Sequence, residues 1–152
     1  MKRAKFMIIG GILLMCGLIA HSQTTRRVAF RTVKGEPSRY VTVDGNALDS
    51  VGKSITGAQV FELTDINGGD LEGGDEVKIK YGDKYWRLDN GNIVLYDGVA
   101  DSNVRFTVVT SGKWIRFKCS DGTYVEVPGD GGVLTTTKEA NNSYSVLELK
   151  KQ

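Results

Sequence analysis

The sequence predicts an all-β fold, a closed barrel assembled from three copies of one four-stranded unit. Three observations lead there: short runs alternating apolar and polar residues, Gly-containing turns between them, and one ordered set of phrases that occurs three times. Alternation with period two marks strands with a single buried face. Asp-Gly and Asn-Gly pairs supply the positive φ angles that two-residue hairpins need. Beyond the N-terminal segment, no stretch sustains the 3.6-residue period of a helix.

That N-terminal segment, residues 1–22, stands apart. Lys2, Arg3 and Lys5 precede the apolar run 6–20, and Ala20-His21-Ser22 places small residues where a signal peptidase reads. The pattern is that of a secretory signal peptide, with cleavage expected before Gln23. Its 15 apolar residues fall short of the roughly 20 needed to cross a bilayer. Cys16 follows Met15 rather than a small residue, which disfavours lipid attachment. Three of the chain's 20 basic residues and none of its 18 acidic ones lie in this segment, leaving 17 against 18, a net charge of about −1. A nucleic-acid partner would need a clustered positive face, so none is expected. A secreted or periplasmic protein with no membrane contact after cleavage is the expectation. Cys119 is the single cysteine beyond the signal, so no internal disulfide forms and the fold must rest on packing.

The remaining 130 residues, 23–152, suit one domain. Its first phrase is Val28-Ala29-Phe30-Arg31, Val77-Lys78-Ile79-Lys80 and Ile115-Arg116-Phe117-Lys118. The second is Tyr40-Val41-Thr42-Val43, Tyr85-Trp86-Arg87-Leu88 and Tyr124-Val125-Glu126-Val127. A third apolar segment follows each Gly turn: Ala47-Leu48, Ile93-Val94-Leu95 and Val133-Leu134. Phe61-Glu62-Leu63, Phe106-Thr107-Val108 and Leu147-Glu148-Leu149 close the units, predicted at about 27–74, 75–112 and 113–152. Twelve short strands in three units exclude a propeller, which needs about four blades. A solenoid would leave open ends that require caps. Closure as a β-trefoil, a six-stranded barrel capped by three hairpins, removes the exposed edges.

The stretch GKWIRFKCSDGTYVEV, with VAFRTVKGEPSRYVTV and RFTVV (105–109), resembles the repeat of fascin-like β-trefoil domains. The resemblance spans about 28–149 and implies a non-catalytic binding or cross-linking module. Two features depart from related trefoils. The Gln-any-Trp motif of ricin-type trefoil lectins is absent, so no lectin site residue carries over. Animal fascins bundle actin with several trefoils in tandem, and a single secreted one has no access to actin.

Comparing the units separates core from surface. Trp86 aligns with Val41 and Val125, which predicts a buried indole. Tyr40, Tyr85 and Tyr124 recur at every hairpin base, where packing and a backbone partner for each hydroxyl are expected. Trp114 aligns with the charged Arg27 and Glu76, and alternation turns it outward. Tyr96, beside Asp97, aligns with Ser50 and Thr136. A flat ring next to groups that accept hydroxyl protons is the chemistry of sugar recognition, so Trp114, Tyr96 and Asp97 are the candidate ligand-binding residues. The competing reading makes each a cover for a barrel end.

Residues 64–76 gather Asp65, Asp70, Glu72, Asp75 and Glu76 among four glycines. The spacing does not match a calcium loop, and a solvated, mobile acidic loop is the expectation. The Gly52-Lys53-Ser54 triplet lacks the glycines and the strand-to-helix setting of a phosphate loop. The domain holds no histidine, since His21 lies in the signal, and no thiol–base pair. Cys119 reads as a small strand residue rather than a nucleophile. No enzyme, metal or cofactor is expected. The sequence points to a monomeric module that binds carbohydrate through surface aromatics. The alternative is a protein-binding trefoil, a protease inhibitor or a ligand for a host or cell-surface receptor, acting through the exposed 64–76 loop.

Overall fold

A computed structural model describes residues 22–152; all of the expected signal peptide except Ser22 lies outside the described residues. The first four strands are β1 (Thr24–Thr32), β2 (Tyr40–Asp44), β3 (Ala47–Gly52) and β4 (Phe61–Asp65). β5 (Glu76–Tyr81), β6 (Lys84–Asp89), β7 (Asn92–Tyr96) and β8 (Phe106–Ser111) follow. β9 (Trp114–Lys118), β10 (Tyr124–Glu126), β11 (Thr135–Thr137) and β12 (Leu147–Lys151) complete the set. The helical content described is three single 3-10 turns, Gly57–Gln59, Ser102–Val104 and Ser143–Ser145, each just before a closing strand.

Six strands close a ring through the antiparallel pairs β1–β4, β4–β5, β5–β8, β8–β9, β9–β12 and β12–β1. The registers match the phrases read from sequence. Val28 faces Phe61, Val77 faces Phe106 and Ile115 faces Leu147. Phe30 faces Leu149, Ile79 faces Leu63 and Phe117 faces Val108. Three hairpins, β2–β3, β6–β7 and β10–β11, form the cap. They join one another through Ala47 and Val94, Asn92 and Thr135, and a bridge between Asp49 and Val133. The arrangement is all-β, closed and trefoil-like. In the β6–β7 hairpin, Asn90 (φ 48°) and Gly91 (φ 78°) both take the positive φ that a tight two-residue turn between right-twisted strands requires.

The inward residues of the ring strands meet at an aromatic centre. Trp86 is fully buried, with its ring centroid 5.1 Å from Phe30, 5.3 Å from Phe61 and 6.4 Å from Phe117. Its counterparts Val41 and Val125 are also fully buried, so the indole fills space that two smaller side chains leave open. The indole Nε1–H has no hydrogen-bond partner there. Tyr40, Tyr85 and Tyr124 are half-buried as expected, but among the described residues their hydroxyls make no hydrogen bond.

The 64–76 segment is not a loose solvated loop. Asp65 is fully buried, and its Oδ1 accepts from the Asn67 and Gly68 amides at 2.9 and 3.1 Å. Arg26 on β1 reaches both Asp65 and the Gly69 carbonyl. The Glu76 amide donates to Asn67 Oδ1, the Gly74 amide to the Val108 carbonyl, and Leu71 packs on the core. Composition suggested mobility because it counts charges. The order comes from backbone amides that one buried carboxylate and one neighbouring strand satisfy.

Candidate functional site

The barrel wall carries a groove where β1, β12 and β9 meet. Thr32 pairs with Leu147 and Leu147 with Ile115, which brings Val33, Val146, Trp114 and Arg116 to one place. Ile115 and Phe117 point inward, so Trp114 on the same strand faces out and lies half-buried. The groove encloses about 210 Å³. Trp114, Val33 and Val146 supply its apolar surface; Ser111, Asn141 and Ser143 supply hydroxyl and amide groups; Lys34 and Arg116 supply positive charge. Arg116 is fixed, its Nε donating to the Oγ of buried Ser145 at 3.1 Å. The ammonium of Lys113 sits 5.7 Å from the Trp114 ring centroid.

The equivalent groove at β5 has another character. Glu76 stands where Trp114 does, and the lining includes Asp101, Ser102, Arg105 and Lys118. Its charges are largely paired: Arg105 approaches Glu76 at 3.8 Å, and Arg87 donates to Asp101 at 3.0 Å. The Arg87 hydrogen bond holds the Asp101 carboxyl below the usual carboxylate range. Cys119 also borders this groove, but burial pushes its thiol up to about 11, so it stays protonated and unreactive near neutrality.

Tyr96 ends β7, away from Trp114, and neither Tyr96 nor Asp97 lines the Trp114 groove. Tyr96 is half-buried, with the Arg87 guanidinium 4.7 Å over its ring. Gly98 lies so close that a Cβ there would stand 2.1 Å from the tyrosine hydroxyl. Asp97 is exposed. The register corrects the alignment of Tyr96. Facing Tyr85, Tyr40 and Tyr124 are Tyr96, Gly52 and Thr137, not Ser50 and Thr136. A bulge between Tyr40 and Thr42 shifts the first hairpin, and β11 starts after Leu134 rather than at it.

A second concavity, of about 280 Å³, escaped the sequence reading. Tyr144, 40 % exposed, stands with Pro128 and Gly129 between the carboxylates of Glu126 and Asp130. Glu126 Oε2 accepts from Asn142 Nδ2 at 2.8 Å. This cleft adjoins the Trp114 groove: Ser143 lines one and Tyr144 the other, and the Lys34 ammonium is 5.9 Å from the Tyr144 ring centroid. Tyr144 falls in a 3-10 turn outside the strand phrases. Its counterparts at the middle of the other two turns are Ala58 and Asn103, so comparing the turns across units would have revealed it. Each concavity thus sets an aromatic ring beside polar groups.

No family model matches the chain, and no curated protein matches it in sequence. Solved structures do match in fold. SeviL bound to the asialo-GM1 saccharide superposes with a TM-score of 0.67 at 13 % identity, covering 84 % of this chain and 98 % of that one. ThreeFoil, a designed 3-fold symmetric protein, gives 0.62 at 14 % identity, over 80 % of this chain and 96 % of its own. A mosquitocidal holotoxin gives 0.69 at 12 % identity, over 85 % of this chain but 17 % of the toxin. At these identities the likeness establishes the trefoil-like fold alone.

Proposed function

We propose that this chain is a secreted or periplasmic, non-catalytic β-trefoil of three four-stranded units that binds carbohydrate in the Trp114 groove. One observation carries the reading: a half-buried indole walls a concave surface whose uncharged polar lining is Ser111, Asn141 and Ser143, with Lys34 and Arg116 beside them. A sugar offers complementary faces, C–H bonds for the ring and hydroxyls for the amide and serines. SeviL, which shares the fold, was solved holding a saccharide, which agrees with this use of the scaffold. The protein acts as a monomer with one decorated wall. The signal peptide, cleaved before Gln23, takes it out of the cytoplasm.

The test is a glycan array followed by calorimetry with wild type, Trp114→Ala and Tyr96→Ala. Wild type is expected to bind a defined glycan set. Trp114→Ala should weaken that binding by about tenfold, as loss of a stacking surface worth about 1.5 kcal/mol requires, with an unchanged circular dichroism spectrum. Tyr96→Ala should bind as wild type. Absence of any glycan signal would overturn the proposal. A second reading draws on the ordered 66–75 loop, whose exposed Asp70 and Glu72 form a pre-arranged acidic edge for an extracellular protein such as a protease or receptor. Capture of a partner that is lost on Asp70→Lys/Glu72→Lys, with no glycan bound, would favour it.

A further inference from the structure

The charge around Trp114 narrows the ligand class. Lys34 and Arg116 line the groove, Lys113 stands over the indole, and no carboxylate belongs to the lining. Among the described residues none of these three cations is in an ion pair. Glu148, which comes opposite Trp114 on β12, is already engaged by Arg31 and Lys150. The equivalent groove at β5 provides an internal contrast, since its Arg105 and Lys118 share the surface with Glu76 and Asp101. Lys34 and Arg116 in the lining and Lys113 over the indole make this stretch of surface positive with no carboxylate of its own, a field that favours an anionic ligand.

We infer that the Trp114 groove takes an acidic sugar, the pyranose face on the indole and its carboxylate or sulfate against Lys34 and Arg116. The inference rests on the carbohydrate reading above and specifies its substrate class. Arg116 is suited to the anion: its guanidinium presents a planar fork, and the Ser145 hydrogen bond holds that fork in place before binding. Lys34, exposed and on a flexible stem, adds a second contact that adapts to a carboxylate or a sulfate ester.

Calorimetry with three hexasaccharide probes tests this: an oligogalacturonate, a heparin-derived sulfated fragment and neutral chitohexaose. At about 20 mM salt, at least one acidic probe is expected to bind about tenfold or more tighter than the neutral one. That preference should fall several-fold near 0.5 M salt, where the Debye length is under about 5 Å. Lys34→Gln and Arg116→Gln should each weaken the acidic probe more than the neutral one and so remove most of the preference, and Lys34→Arg should restore it. Melting curves exclude misfolding of either variant. Which acidic probe binds distinguishes carboxylate from sulfate as the anion. Equal affinity for neutral and acidic probes, still dependent on Trp114, would overturn the acidic assignment and leave the carbohydrate reading standing. Failure of all three probes together with a silent glycan array would overturn both.

Discussion

Trp86 offers the sharpest test of the packing argument, because two substitutions there should behave very differently. The side chain is fully buried among Phe30, Phe61 and Phe117, and its Nε1–H is unpartnered. Trp86→Val installs the residue found at Val41 and Val125, its counterparts in the other two cap hairpins. It forfeits about 100 Å² of buried apolar surface, or about 2.5 kcal/mol at 25 cal/mol per Å². A residual cavity at the centre of three aromatic rings raises the loss to about 3–5 kcal/mol. Trp86→Phe forfeits about half that area, or about 1 kcal/mol, but removes a buried donor whose desolvation costs about 1–3 kcal/mol. The phenylalanine variant should therefore lie between wild-type stability and about 2 kcal/mol above it. Urea unfolding followed by far-UV circular dichroism at 25 °C measures both. A Trp86→Phe loss as large as that of Trp86→Val would refute the reasoning, since it would mean that the indole N–H is satisfied in the fold.

Asp65→Ala should cost about 2–3 kcal/mol by stranding the Asn67 and Gly68 amides and the Arg26 guanidinium, with faster hydrogen exchange at 67–69 as the local readout. Asp65→Asn, which keeps the acceptor oxygen, should lose less. Cys119, only 5 % exposed, should resist alkylation at pH 8 until the protein unfolds. Because burial raises its thiol from 9.0 to about 11, its contribution to stability is complete below pH 9 and drains away as pH rises through 11. The ceiling is about 2–3 kcal/mol at 1.4 kcal/mol per unit, and Cys119→Ala should lack that portion of the alkaline decline in urea midpoint.

The barrel was legible in the sequence because its signal is local and repeated. Val28, Val77 and Ile115 announce themselves by alternation, and the register places all three opposite the closing phrases as read. Trp86 was legible by comparison with Val41 and Val125. What alternation does not encode is where a strand slips. The bulge in the first hairpin moved the counterpart of Tyr96 from Ser50 to Gly52. Asp65 was read as one acid among five because its burial depends on Arg26, some forty residues earlier, and on amides that lie next to it only once the loop turns. The candidate site was half visible. Trp114 stood out against Arg27 and Glu76, but Lys34, Arg116 and Tyr144 come together only through the pairing of β1, β9 and β12.

Val28 lies opposite Lys151, and the Gln152 amide reaches the Arg27 carbonyl at 3.0 Å, so the two ends of the domain are stitched side by side in a continuous wall. The hydrogen-bonded ring thus runs across the β1–β12 seam without needing a covalent link there. Tying residue 152 back to residue 24 through a short linker and opening the Gly112-Lys113 turn instead would preserve every rung of the wall. It would also set a new terminus directly beside Trp114, where a fused reporter could sense occupancy of the groove.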